Sequence, residues 1–200
     1  MGLNINYIYG QTPLEEEEKE GLLIQHITTK KELDEFEQQN IEKAIEWVMA
    51  RKFSVSNVLN EGFILDLHKR MFGEVWKWAG KFRTSNKNIG VDKLQISTRL
   101  YQLNEDCKFW IENNTYESDI LAIRYKHRIV QIHPFANGNG RHSRLMADII
   151  IEKLLGGEVF SWGGVNLSRS TDTRKTYIDA IITADGGNIK PLVEFARSFK

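Results

Sequence analysis

Only three prolines interrupt the 200-residue chain, at Pro13, Pro134 and Pro191, so the backbone meets few forced breaks. Between them apolar residues recur at the helical period. Thr29-Lys30-Lys31-Glu32 has the form of a capping box, and Leu33, Phe36, Ile41, Ala44, Ile45 and Val48 follow at roughly helical spacing. Ser56 or Asn57 can start a helix bearing Phe63, Leu67 and Met71, which runs into Phe72, Trp76 and Trp78. Leu100, Leu103, Cys107 and Trp110 mark another. Leu121, Tyr125, Ile129 and Ile132, behind the caps Ser118 and Asp119, mark one that Pro134 ends. A largely buried helix is predicted from near Gly140 to Gly156-Gly157, one from about Thr171 to Ala184, and a short last one opened by Pro191. The period is lost from Gly80 to Ser97, where residues 89–96 alternate apolar and polar around a turn and make the one hairpin candidate. The class is all-α, a helical bundle with a small β-hairpin. Thr12-Pro13 followed by Glu15 to Glu18 and Gly21 reads as a short acidic helix. It heads an N-terminal arm, residues 1–55, before a main domain at 56–200.

At 41% hydrophobic residues the chain can bury a real core, which excludes disorder. Lys and Arg total 27 against 27 Asp and Glu, so the basic excess of a dedicated nucleic-acid binder is missing. Cys107 is the only cysteine, no signal-peptide pattern opens the chain, and no apolar run reaches membrane-spanning length. A soluble protein of a reducing, cytoplasmic compartment is expected.

The chemistry concentrates in His133-Pro134-Phe135-Ala136-Asn137-Gly138-Asn139-Gly140-Arg141-His142-Ser143-Arg144. Two glycines one residue apart let the backbone expose N–H groups, and the helix start that follows adds free donors and a positive dipole end. Arg141 and Arg144 share a helix face and can each take a phosphate of one polyphosphate. Asn137 offers a carbonyl oxygen to a hard cation such as Mg²⁺. His133 is a base suited to proton abstraction near neutral pH. Taken singly, the glycine turn reads as a plain helix connection, His133 as a structural histidine and the arginines as surface ion pairs. Taken together they describe phosphoryl or nucleotidyl transfer to a hydroxyl. A P-loop would need Lys-Ser or Lys-Thr after its last glycine, a dinucleotide fingerprint would need glycine where Ser143 stands, and His127, His133 and His142 lack zinc-ligand spacing.

This segment resembles the signature of the Fic family, His-Pro-Phe-x-Asp/Glu-Gly-Asn-Gly-Arg-x-x-Arg. Trp78-Ala79-Gly80-Lys81-Phe82-Arg83 resembles the stretch before the family's hairpin flap, and Tyr177 to Pro191 its closing helix, so the likeness runs from about Phe63 to Phe199. Thr12-Pro13-Leu14 and Glu20-Gly21-Leu22 resemble the subgroup named mobile mystery protein B, found beside a small helix-turn-helix partner. The resemblance implies a protein adenylyltransferase that transfers AMP from ATP, with Mg²⁺, to a Tyr, Thr or Ser hydroxyl of a target protein. It makes His133 the base and Phe135 an anchor. Gly138, Asn139 and Gly140 become the anion cradle, and Arg141 and Arg144 the clamps on the outer phosphates. Ile89, Gly90 and Val91 become the flap that aligns a target strand. Tyr177 and Asp185 would border the adenosine, and read equally as a packed aromatic and a helix end.

Asn137 departs from the family pattern, because the Mg²⁺ position usually holds Asp or Glu and an amide lacks the formal charge. That leaves AMP transfer, transfer of another phosphate-containing group, and a catalytically silent nucleotide- or partner-binding module as readings. The family's inhibitory pattern, Ser/Thr-x-x-x-Glu-Gly/Asn, is split here. Thr12 to Glu16 has its spacing and Glu20-Gly21 its ending, so Glu20 is the candidate to plug Arg144, with a solvated capping helix as the other reading. An antitoxin-like partner is the other source of inhibition. Acids gathered from Glu15 to Glu37 face the prospect of pairing with the basic pocket within one molecule.

Overall fold

The capping box forms as its spacing implies. In a computed structural model describing residues 13–24, 26–164 and 171–198, the Glu32 N–H donates to Thr29 Oγ1 at 3.3 Å and the Thr29 N–H to Glu32 Oε2 at 3.0 Å. Those bonds start α2 (Lys30–Met49), preceded by the single acidic turn α1 (Glu16–Lys19). Glu15 caps α1, while Thr12, the expected cap and the first residue of the split inhibitory pattern, lies outside the described residues, as does Phe199.

The helix expected from Ser56 or Asn57 is two. Ser54 caps α3 (Val55–Val58), Leu59 leaves the helical region, and the Phe63 N–H donates to Asn60 Oδ1 at 2.9 Å to open α4 (Glu61–Phe72). A side-chain amide that offers the next turn a cap competes with continuation of the previous one. Then come α5 (Ile96–Glu112), α6 (Ser118–Ile132), α7 (Asn139–Ile149) with a π-turn at Ile150–Leu154, α8 (Thr171–Asp185) and α9 (Lys190–Arg197).

α6 is the hub, packed against α5, α7 and α9, while α2 lies along α4. Leu67, Met71, Phe72, Trp76, Leu100, Tyr125, Phe135 and Met146 are buried between them, each large side chain contributing about 1.5–3 kcal/mol. The arm joins this core: the Leu23 N–H donates to the Val75 carbonyl, the Lys77 N–H to that of Gly21, and Leu22 and Trp76 form an antiparallel bridge.

The hairpin does not form. Among the described residues, 81–95 make no strand pairing and end in a 3₁₀ turn at Lys93–Gln95. Asn86 Oδ1 accepts the Lys93 N–H at 2.8 Å, Asp92 Oδ1 accepts the Leu94 N–H at 2.9 Å, and the Lys93 ammonium donates to the Thr84 carbonyl. Side chains thus occupy main-chain groups that a two-stranded ladder would need. The flap is a loop.

Candidate active site

Pro134 disfavours a helical conformation in the residue before it, so α6 stops at Ile132 and His133 turns left-handed, φ 54° and ψ 61°. That bend starts the signature loop. Asn139 closes it, its Oδ1 accepting the Phe135 N–H at 2.9 Å and its Nδ2 donating to the Phe135 carbonyl at 2.8 Å, so this side chain staples the loop rather than facing a ligand. Phe135 is the anchor expected of it, fully buried and stacked 3.6 Å from the His68 ring. The Gly80 N–H donates to His68 Nδ1 at 3.0 Å, which fixes the tautomer: Nε2 carries the proton and donates to the Asn137 carbonyl at 3.0 Å. His142, also in the signature, is equally structural, donating from Nε2 to the Ile64 carbonyl at 3.1 Å.

The two glycines differ. Gly138 has φ 78°, and a Cβ on it would lie 2.6 Å from the Phe72 ring, so both backbone and packing demand glycine. Gly140 has no positive φ, and a Cβ there meets nothing within 4 Å. Open space faces the first turn of α7, where the N–H groups of Asn139, Gly140 and Arg141 have no preceding carbonyl in the helix. An anion can approach that backbone closely.

His133 lies under the flap. A Cβ on Gly90 would come 2.7 Å from His133 Cβ. Arg83 ties the two together: Nε donates to the His133 carbonyl at 2.7 Å, Nη1 to the Ser85 carbonyl at 2.7 Å, and Nη2 to the Val91 carbonyl. Since the Val91 N–H donates to the Ile132 carbonyl, both main-chain groups of Val91 are engaged within the protein, and Ile89 stands exposed beside it. Burial, with the positive charge of Arg83 adding to it, pushes His133 down to about 4, so its imidazole is neutral at pH 7 and ready to take a proton.

Arg141 and Arg144 are brought to one side of the loop. The first pairs with Glu37 at 2.6 Å, and the second lies 5.7 Å from the centre of the Tyr177 ring. Two cations unmarked by the sequence reading join them. Arg174 on α8 is close enough for both motif guanidiniums to lower its pKa, after burial. Lys126 is fully buried with its ammonium 4.4 Å from the Tyr177 ring centre, and burial lowers its pKa against the opposing pull of the Tyr177 hydroxyl. Asp185 is engaged by His127 and Gln131, each at 2.8 Å.

Asn137 Oδ1 accepts the Gly138 N–H at 2.6 Å, and no group of three or more His, Cys, Asp or Glu that could hold a metal occurs among the described residues. A divalent cation finds one neutral protein oxygen here and no carboxylate cage. Glu20 is exposed at the end of α1. The acids of that turn reach the flap loop instead: Lys87 pairs with Glu15 at 2.9 Å and Glu18 at 2.8 Å. Among the described residues, the carboxylate that forms an ion pair with a signature arginine is Glu37. Its one sequence signal is a charge within the Leu33, Ile41, Ala44 and Val48 stripe of α2, where a buried acid requires a partner.

Residues 58–151 match the Fic/DOC family. A protein named "Protein adenylyltransferase Fic" from Drosophila willistoni is 28% identical over 66% of this chain, and its Aedes aegypti counterpart 25% over 78%. The chain spans only 26% and 30% of those relatives. Among solved structures, Fic-1 from C. elegans (aa 134–508) superposes at a TM-score of 0.62 with 21% identity, covering 79% of this chain and 46% of that one. The BepC effector of Bartonella tribocorum, solved with bound AMPPNP, reaches 0.66 at 18% identity, covering 92% and 97%. Signature loop, helical fold and sequence agree, and it is through residues 58–151 that this chain matches the Fic/DOC family.

Proposed function

We propose that this chain is a protein adenylyltransferase that moves AMP from ATP to a Tyr, Thr or Ser hydroxyl of a target protein. The observation that carries the reading is the pairing of a neutral His133 beneath the flap with an open helix start at Gly140. The names of the Drosophila and Aedes relatives and the AMPPNP held by BepC support the donor. His133 takes the proton of the target hydroxyl as its oxygen attacks the α-phosphorus. The bond from that phosphorus to the bridging oxygen of the β-phosphate breaks, and pyrophosphate leaves. The first turn of α7, Arg141 and Arg144 hold the phosphate charge, and Tyr177 walls the nucleoside side.

Mg²⁺ fits this site as the counter-ion of ATP rather than as a resident metal, because Asn137 supplies a single amide oxygen already bonded to Gly138. With Val91 engaged, pairing with a target strand falls to Ile89 and Gly90. We place the chain with the mobile mystery protein B subgroup on its Thr12-Pro13-Leu14 arm, with a small helix-turn-helix or antitoxin-like protein as its partner and the cytoplasm as its location.

Incubation with α- and γ-labelled ATP in a lysate tests this. His133-dependent label from α-labelled ATP alone is expected. Label from the γ position shows phosphate transfer instead, and no His133-dependent label from either refutes enzymatic transfer and leaves the silent nucleotide-binding module, which the neutral Asn137 favours as a second reading.

A further inference from the structure

Arg141 is held on two sides. Its Nη1 donates to Glu37 Oε2 at 2.6 Å, and its guanidinium carbon lies 4.7 Å from the centre of the Phe72 ring. The other Glu37 oxygen accepts the Trp76 indole N–H, also at 2.6 Å. The Glu37 side chain is 6% exposed and that of Arg141 31%. Glu37 lies on α2, in the N-terminal arm and outside the 58–151 family match.

We propose that Glu37 is a positioning residue of this site. Acting through Arg141, it anchors one edge of the guanidinium on a buried carboxylate and leaves the remaining donors for the phosphates of a bound nucleotide. The inference rests on the nucleotide-binding part of the function proposed above. A guanidinium offers five N–H donors in a rigid fork, so a bond from Nη1 to Glu37 still leaves donors for an anion. The alternative is a carboxylate that competes with phosphate and must leave before ATP enters. Glu37 is poorly built to leave. Its second oxygen is held by an indole that is itself 1% exposed, and withdrawal would strand that N–H without a partner. With Phe72 beneath the guanidinium, and the same ring excluding a Cβ at Gly138, the arm, the arginine and the glycine loop are packed as one unit.

The test is Glu37→Gln, which keeps the volume. If its amide oxygen stays on Trp76, the NH₂ group faces the Arg141 donors, so the anchor is lost while the site becomes more positive by one charge. The two accounts then predict opposite signs. Positioning predicts that Mg-ATP binds about tenfold more weakly by calorimetry, with KM raised more than kcat is lowered. Competition predicts tighter binding and faster turnover, and that result overturns the proposal. In an Arg141→Ala background Glu37→Gln should change binding no further, and an additional loss there also overturns it. Should Glu37→Gln fail to fold, Arg141→Lys decides. One ammonium cannot fork between carboxylate and phosphate, so affinity falls by a similar factor, and unchanged affinity refutes the role. Calorimetry needs no turnover. Normal Glu37-dependent binding without AMP transfer therefore sinks the adenylyltransferase reading alone, whereas wild-type protein that binds no nucleotide sinks both.

Discussion

Replacing each loop glycine by alanine separates what the fold needs from what a ligand needs. At Gly138 the new methyl forces a left-handed residue at a cost of about 1–2 kcal/mol and meets the fully buried Phe72 ring at 2.6 Å. Shifting that ring adds roughly 1–3 kcal/mol of overpacking. At about 2–4 °C per kcal/mol for a chain of this size, Gly138→Ala should melt roughly 4–20 °C below wild type. Gly140→Ala should behave in the opposite way. Its Cβ meets nothing within 4 Å and its backbone is helical, so exchanging glycine for alanine stabilises by up to about 1 kcal/mol and raises the melting temperature slightly. The same methyl stands where a phosphate would rest on the first turn of α7, so ATP affinity should fall at least about tenfold. Differential scanning calorimetry and titration calorimetry read the two effects separately. A Gly140→Ala protein that binds ATP as wild type does, or that melts lower, refutes the view that glycine at 140 serves a ligand.

Other consequences follow from the same geometry. His133 at about 4 places the acid limb of AMP transfer near pH 4, with a flat profile through neutrality, and a limb near pH 6.5 would contradict the buried, neutral base. The folded pKa of His133, and that of His142 at about 3, lie below the unfolded value near 6.5, so the unfolded chain binds more protons between those limits. The contribution of these two histidines is then full above about pH 6.5 and drops as pH falls toward 4, while Asp148, raised by burial to about 7, works the other way over the same range. With two histidines against one carboxyl, denaturant unfolding should still show a net loss of at least about 1 kcal/mol from pH 7 to pH 4.5. Arg83→Ala removes the donor that ties the Ser85 and Val91 carbonyls of the flap to that of His133, and should lower target modification at least about tenfold while leaving ATP affinity within about twofold, as filter-bound label and calorimetry would show. Lys126→Met removes a fully buried ammonium whose pKa burial lowers, and should raise thermal stability by about 1–4 kcal/mol. A lowered melting temperature would show that its contact with the Tyr177 ring outweighs desolvation.

The sequence carried the local decisions well where one residue type has one physical consequence. Pro134 ends α6, Thr29 with Glu32 opens α2, and Pro191 sits in the first turn of α9. The hairpin failed for a reason that alternation does not contain: Asn86, Asp92 and Arg83 take the main-chain groups of the loop for themselves. Asn139 read as part of an anion cradle through its backbone N–H, and what the sequence did not show is that its side-chain amide also closes the loop on Phe135, four residues earlier. Gly138 and Gly140 look alike in a glycine pair, and only the Phe72 ring beside one and the open space beside the other tell them apart.

By itself, then, the sequence determined the helical class, the bend at His133, the signature loop and the family likeness. These depend on backbone preference and short spacing, which neighbouring residues settle among themselves. The tertiary structure alone decided which acid meets which cation. Glu37 reaches Arg141 across 104 positions, Lys126 comes to lie on Tyr177, and Glu15 and Glu18 latch Lys87 rather than a signature arginine. A buried charge must find an opposite charge or a polar partner, but the requirement does not name the partner, and packing of α2 along α4 and of α6 against α7 made the choice.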